Sequence, residues 1–288
     1  MDEIKTREFK ENNYKAIFFN NKTLRFKLDQ SKPMTELKYP EFYDIKITNT
    51  CEGKCPWCYQ DSIFEDPHYD NILDKVEDYF KVMDENKRPF QVAIGGGEPT
   101  SHPEFILLLK GFKDLGIVPN YTTNGMIIRD PKQTLKLIQA TKKYCGGVAV
   151  STHPHLEESW RAFVDFILLQ GVKTNLHIII SDKESVDRFI KLYYEYKDLI
   201  EYFVLLPFEH MGRASKLDTK TEFDYLFQEL KKLPDISNVS YGANFYHELK
   251  KHPWLDVNLY QQEMFSKYLD LKDMKLYKSS FNLNEVKI

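Results

Sequence analysis

The chain has 288 residues, 42% hydrophobic and 14% aromatic, enough to bury a substantial core in one large domain or in one with an appendage. Lys and Arg number 40 against 43 Asp and Glu, a net charge of −3 without a strongly basic tract, which disfavours nucleic acid or any partner held mainly through phosphates. No apolar stretch approaches the roughly 18 residues of a membrane span, and the charged start Met1-Asp2-Glu3-Ile4-Lys5 has no signal-peptide core, so the expectation is a cytoplasmic protein without a membrane partner.

In chain order, residues 14–20 and 23–29 alternate apolar and polar around Asn20-Asn21-Lys22, which predicts a β-hairpin. A strand over 43–48 leads into a cysteine-rich loop, and the helix after it places Ile72, Leu73, Val76, Phe80 and Met83 on one face. The second strand spans 91–94 and its helix 103–115; the third spans 117–122 and is followed by a helix from Pro131. The fourth, 147–151, precedes a helix with Leu156, Trp160, Phe163, Val164 and Ile167 on one side. Strand 172–180 leads to a helix carrying Val186, Phe189, Ile190 and Tyr193. Strand 202–206, ended by Pro207, leads to one carrying Phe223, Leu226, Phe227, Leu230 and Leu233.

Six β-α units in succession predict parallel strands with right-handed crossovers. The expected fold is α/β: a partial (β/α)6 TIM-like barrel over 43–235, an N-terminal β-hairpin extension over 1–42, and a small C-terminal extension over 236–288. This last segment, with a short strand at 239–241, a short helix and an aromatic tail to Phe281, reads as a cap or extra strands closing one side of the barrel.

Three of the four cysteines, Cys51, Cys55 and Cys58, fall within eight residues. A long, cysteine-poor chain argues against disulfides, so the clustered thiolates are expected to hold a metal centre. Three ligands would leave one iron of a 4Fe–4S cube open to substrate or cofactor. Zinc competes, but its sites usually come as paired Cys-x2-Cys knuckles; here the spacing is x3 then x2, with Cys145 far off and no histidine partner nearer than His68. Further on, Val92-Ala93-Ile94 ends in Gly95-Gly96-Gly97-Glu98-Pro99. Glycines at a strand end let a ligand approach the backbone, and the glutamate can hold an ammonium group. Alone, the motif reads equally as a tight turn. In β/α barrels the reactive groups gather on loops at the C-terminal ends of the strands. The cysteine loop, 95–98, 122–125, Ser151 and 208–213 all fall there.

Together, Cys-x3-Cys-x-aromatic-Cys after the first strand, with Trp57 at the aromatic position, and Gly-Gly-Glu-Pro after the second resemble the radical S-adenosylmethionine (radical SAM) superfamily. The resemblance extends to Thr122-Thr123-Asn124-Gly125 and Val148-Ala149-Val150-Ser151, and covers about residues 43–215. It implies an enzyme that cleaves S-adenosylmethionine reductively at a 4Fe–4S cluster and takes hydrogen from a substrate with the resulting 5′-deoxyadenosyl radical. A flavodoxin- or ferredoxin-like electron donor is implied as partner. By the resemblance, Cys51, Cys55 and Cys58 ligate the cluster and Trp57 lies along the adenine. Gly95, Gly96, Gly97 and Glu98 receive the methionine amino group, Thr123 touches the cofactor, Ser151 contacts ribose or carboxylate, and Leu206 walls the adenine.

Other residues carry open alternatives. Asn124-Gly125 reads as a turn as readily as a contact. Asn175 and His177 alternate on the fifth strand toward the interior, His177 being expected as a core histidine with a satisfied hydrogen bond. His153 and His155 read as a surface loop or the rim of a substrate mouth. Arg213 reads as a carboxylate clamp or a surface arginine, and Cys145 as a small buried side chain or a hydrogen-atom donor. The substrate is expected to be a peptide or protein, because Gly212-Arg213-Ala214 resembles peptide-modifying relatives; a nucleotide or small metabolite is the alternative, from the Thr-Thr-Asn-Gly segment. A glycyl-radical activase and a non-enzymatic zinc-binding module rank below both.

Overall fold

The computed structural model describes residues 4–255, 257 and 262–286. Strands β1 (Lys5–Phe9), β2 (Tyr14–Phe19) and β3 (Lys22–Phe26) form an antiparallel sheet. The expected hairpin is β2–β3, which pairs Phe19 with Lys22 across Asn20 and Asn21 at φ 51° and 61°. Asparagine tolerates that left-handed pair, as a type I′ hairpin turn requires. β1 escaped the sequence pattern because its inward residue is Arg7. The Arg7 Nη1 donates to the Pro40 carbonyl at 3.1 Å and the guanidinium lies 4.6 Å from the centroid of the Phe90 ring, while its Nε has no partner among the described residues.

The main sheet has ten strands and curls into a half-barrel. Its centre is the expected parallel series, β4 (Phe42–Lys46), β5 (Gln91–Gly95), β6 (Val118–Thr123), β7 (Gly147–Ser151), β8 (Thr174–Ile180) and β9 (Tyr202–Pro207). After each comes its helix, α1 (Ile72–Lys81), α2 (Phe105–Asp114), α3 (Pro131–Tyr144), α4 (Glu157–Leu169), α5 (Lys183–Tyr196) and α6 (Phe223–Leu230). The segment from 236 onward does more than close one side. β10 (Val239–Tyr241) adds a parallel strand beside β9 and is followed by the short helix α7 (Tyr246–Leu249). β11 (Ser266–Asp270) adds one beside β4, at the opposite edge, and β12 (Lys275–Ser279) and β13 (Asn282–Glu285) extend that edge antiparallel. β11 has no legible alternation because Ser266, Lys267, Tyr268 and Leu269 are all buried, Lys267 by donating to Glu36 and to the Glu263 carbonyl.

The strands divide their residues between two faces. Tyr43, Ile45, Val92, Ile94, Val148, Val150, Leu176, Ile178, Phe203 and Leu205 turn outward into one core with the helices. Burying each such side chain contributes about 1.5–3 kcal/mol, so the helix side carries the stability. The concave side holds Asp44, Lys46, Ala93, Gly95, Asn120, Thr122, Ala149, Ser151, Asn175 and His177, which are polar or small, and the aliphatic Val204 and Leu206 on β9. Among the described residues, no helix is long and apolar enough to cross a membrane.

The N-terminal sheet plugs the end of the half-barrel where the strands begin. Phe18 stacks on Phe90 at 5.2 Å, Tyr14 packs on Phe265, and Asn21 Nδ2 donates to Gly146 O at 3.1 Å. Phe90, Phe265 and Gly146 immediately precede β5, β11 and β7. At the centre of this plug Glu41 accepts from Tyr14 Oη at 2.6 Å and from Arg25 Nε and Nη2 at 2.8 Å each. Burial and the Glu41 charge push the Tyr14 phenol well up, keeping it a donor. Replacing Arg25 by Ala leaves a buried carboxylate without its cation. We expect a loss of roughly 3 kcal/mol in urea unfolding, the low end for breaking a buried pair because Arg25 is partly solvated, and Y14F to cost about 1 kcal/mol.

Candidate functional site

With the strand starts sealed, the open end is where β4–β9 finish. The loop after β4 runs out and back on itself: Thr50 bridges to Ile63, Thr48 to His68, and Cys51 N donates to Ile63 O at 2.9 Å. Asp66 anchors the return, its carbonyl accepting from Thr50 Oγ1 at 2.6 Å and its carboxylate from Asn49 Nδ2 at 2.5 Å. Between these ties sit the three thiols, all free. The Cys51 and Cys55 sulfurs lie 3.3 and 3.6 Å from where a Cβ on Gly53 would stand. Cys51 Sγ accepts from Gly53 N at 3.4 Å and Asn124 Nδ2 at 3.9 Å. Burial pushes the Cys51 thiol up to about 11 and the Cys55 thiol up to about 12, so both keep their protons near neutrality until a metal displaces them.

The glycine run does two jobs. A Cβ on Gly96, at φ 121°, would lie 2.4 Å from Thr48 O, and one on Gly97 would lie 2.2 Å from Thr50 O. Both glycines press backbone against backbone, with Gly97 N donating to Thr48 O and Glu98 N to Thr50 O, each at 2.8 Å. Gly95 alone of the three opens onto space, with nothing within 4 Å of its missing Cβ. Glu98, 4% exposed, is largely spent on the protein. Its Oε1 accepts from Thr100 N, Thr100 Oγ1 and Thr123 Oγ1, and its Oε2 from Asn124 N at 2.8 Å. Each carboxylate oxygen offers about two acceptor directions, so Oε1 is fully taken while Oε2, with one donor, retains one for a ligand. Burial raises its pKa against the pull of these donors.

Thr123 departs from its expected role. It is 1% exposed, and its hydroxyl donates to Glu98 and accepts from Gly125 N at 3.1 Å, which places it behind the site. Strand alternation explains the correction, since Thr122 is the β6 residue that faces the lumen. Asn124 is both turn and contact: Oδ1 accepts from Met126 N while Nδ2 reaches Cys51.

Around the mouth, Ser151 ends β7 opposite His177 on β8, and Leu206 lies near the end of β9 on the same face. His177 is not the satisfied core histidine expected. On the lumen side its ring has no hydrogen-bond partner among the described residues, and burial pushes its imidazole down to about 4. Beside it the buried Asn175 Oδ1 is also without a partner, as is Trp57 Nε1 beside the thiols. The Trp57 ring packs 5.3 Å from His155 and 5.9 Å from His153, whose imidazole burial drives down to about 3. His155 Nε2 sits 2.8 Å from Gly53 O, so this loop grips the cysteine loop. Arg213 neither clamps a carboxylate ligand nor projects freely; it donates to the Cys55 and Ser62 carbonyls. From the far edge, Phe281 packs on Tyr59 with ring centroids 4.9 Å apart and the planes tilted by 36°. Cys145, at the end of α3 and next to the plugged Gly146, lies at the opposite end of the strands, which removes it as a hydrogen-atom donor.

The residues present fit a three-thiolate cube with an organic cofactor beside it: clustered free thiols, an open cradle over Gly95 that a Cβ would fill, and orphaned polar atoms on Trp57 and Asn175. Among the described residues no three His, Cys, Asp or Glu gather as a single metal ion requires; a cube instead takes thiolates at separate corners. Two surface clefts, one lined by Asp182, Asp218 and Lys220 and one by Tyr39, Tyr79 and Met274, hold none of the orphaned groups. His155 and Arg213 as grips on the loop were not foreseen, because their partners are backbone carbonyls that no side-chain pattern reveals.

A family model described as Radical SAM superfamily matches residues 45–206. A "Probable GTP 3',8-cyclase" of Saccharolobus islandicus (strain Y.N.15.51 / Yellowstone #2) is 26% identical over 179 residues, 56% of this chain and 53% of that protein. One of Saccharolobus solfataricus is 31% identical over the same shares. The chain thus spans about half the length of the curated relatives it matches. The structure of Streptococcus suis SuiB bound to S-adenosylmethionine superposes with a TM-score of 0.64 at 15% identity, covering 88% of this chain and 64% of that one.

Two outcomes follow from this geometry. Gly97→Ala drives a Cβ into a carbonyl that cannot yield, so it should lower cluster-free stability by about 2 kcal/mol or more through loss of the two backbone bonds; Gly95→Ala should stay within about 0.5 kcal/mol. Because the folded imidazole of His177 titrates below its ordinary value, the unfolded chain takes up that proton first as pH falls. Its contribution is therefore complete above about pH 6.5 and lost as pH drops toward 4. Urea midpoints of the cluster-free protein across this range should fall more steeply for wild type than for H177N.

Proposed function

The chain belongs to the Radical SAM superfamily, residues 45–206 carrying the match, and on that basis we propose that it takes a hydrogen atom from an amide-bearing substrate, a peptide or protein segment, held in the lumen. Bound together, the 4Fe–4S cluster and S-adenosylmethionine supply a carbon radical able to take hydrogen from an unactivated C–H bond. The chain holds, orients and shields. Cys51, Cys55 and Cys58 would ligate three irons. The open face of Gly95 and the spare direction on Glu98 Oε2 would take the methionine end of the cofactor. Trp57, Ser151 and Leu206 would border its adenosine.

The observation that carries the substrate class is the orphaned Asn175 Oδ1; two residues on, the His177 ring faces the same lumen. Leaving a buried carbonyl unsatisfied costs about 1–3 kcal/mol, which a substrate N–H would return. Ala93, Gly95, Gly147 and Ala149 leave room in front of this wall, and burial keeps His177 neutral near pH 7. A peptide backbone presents the N–H and C=O groups that such neutral partners read.

The GTP 3',8-cyclases among the relatives support a nucleotide as the second reading. A triphosphate calls for several Lys or Arg forks, yet Lys46 is the one Lys or Arg on the lumen face of β4–β9.

The test is anaerobic. Protein reconstituted with iron and sulfide, given S-adenosylmethionine and dithionite, should yield 5′-deoxyadenosine, and C55A should not. Peptides encoded beside the gene should stimulate it, and N175A should lower substrate turnover about tenfold, the equivalent of one hydrogen bond, while basal cofactor cleavage persists. Stimulation by GTP instead would favour the nucleotide reading, and zinc at one per chain with no cube would sink both.

A further inference from the structure

We infer that Arg213 is the positioning residue that fixes the second half of the cysteine loop from the β9 side and sets the charge beside its thiolates; this rests on the cluster reading above. From Cys51 to Ile63 the loop contains no helix or strand; two turn bonds, Cys58 N to Cys55 O at 3.2 Å and Asp61 N to Cys58 O at 3.3 Å, tie its second half internally, and the rest of its hold comes from donors outside it. The first half has two grips, His155 on Gly53 O and Asn124 on Cys51 Sγ. The second half is reached from the β9 side by one short segment 3-10 in form, Gly212–Lys216, alongside the Phe281 contact on Tyr59 and the Ser62 Oγ donation to Asn49 Oδ1.

Arg213 Nε donates to Cys55 O at 3.2 Å, Nη2 to Ser62 O at 2.8 Å, and Nη1 to Asp61 Oδ1 at 3.2 Å. Its own backbone N–H donates to Cys58 O at 3.0 Å. One residue therefore holds the carbonyls of two of the three thiol-bearing residues and the point where the loop turns back. The preceding Gly212, at φ 54°, lets this happen: a Cβ there would lie 2.6 Å from both Cys58 O and Tyr59 O. Ala214, fully buried, anchors the segment on the other side.

Only a planar fork reaches three acceptors in different directions, so a lysine would keep the charge but not the grip. The charge has its own effect. A cation beside the thiolates favours the more negative, reduced state of a cluster and raises its potential. Asp61, paired with Nη1 at 3.2 Å and mostly exposed, offsets part of this charge. The loop after β9 thus ties the far wall of the lumen to the cysteine loop.

The experiment compares wild type, R213A and R213K. In the cluster-free protein, amide hydrogen exchange over 51–63 should rise in both variants, with the rest of the chain unchanged. After reconstitution, both should lose the cluster to a chelator roughly 10- to 100-fold faster, the scale for outer-shell partners of metal ligands. The midpoint potential should shift negative in R213A and stay near wild type in R213K. Wild-type exchange and cluster retention in R213A would overturn the grip. An unchanged potential in R213A would overturn the charge effect. Should R213A fail to fold, R213K decides, wild-type exchange and retention there overturning the grip. Failure of wild type to assemble a cube would defeat the cluster reading, while the exchange comparison would still decide the grip.

Discussion

The carbonyl oxygen of Thr50 stands where any side chain at position 97 would have to be. The site depends on that contact. It joins the end of β5 to the chain entering the cysteines by backbone alone, with Gly97 N on Thr48 O and Glu98 N on Thr50 O. It also aims the Glu98 carboxylate inward, where Thr100 and Thr123 occupy Oε1 and Asn124 leaves one direction open on Oε2. Three strand-end loops are thereby locked in one arrangement by groups that take little part in binding. The motif that looks like a ligand cradle is first a joint between loops, with only Gly95 left open.

That joint matters because the half-barrel is asymmetric in both directions. Along the strands, the N-terminal sheet seals one end around the buried Glu41 with Tyr14 and Arg25, so chemistry has a single open end. Across the sheet, apolar residues face the helices and supply the stability, which frees the concave side to hold polar groups such as His177 and the orphaned Asn175 Oδ1. An orphaned polar atom is tolerable only where the rest of the fold over-determines the structure. The long loop bearing Cys51, Cys55 and Cys58 has no regular structure of its own. It is therefore held from outside by residues following three different strands: Asn124, His155 and Arg213.

Much of the fold was legible in the sequence. The six central strands and their helices lie within a few residues of where periodicity places them, because periods of 2 and 3.6 are written in contiguous residues. The elements that were missed broke those patterns for physical reasons. β1 turns an arginine inward against a carbonyl and an aromatic face, and β11 buries both of its faces, Lys267 included. Thr123 was misplaced by one residue, since a Thr-Thr pair looks the same whichever member faces the lumen, and only the register of β6 decides it.

The sequence by itself determined the α/β class, the order of the central units, the three thiols and the glycine run, because each is a local spacing of residue types. Tertiary structure alone decided which glycine stays open, that Glu98 is mostly committed, that His177 lacks a partner, and that the last strands join both edges of the sheet. Those facts depend on segments far apart in the chain, as with Arg213 and Cys55, 158 residues apart. A contact made through backbone carbonyls leaves no mark on either partner's residue type, so only the folded chain reveals it.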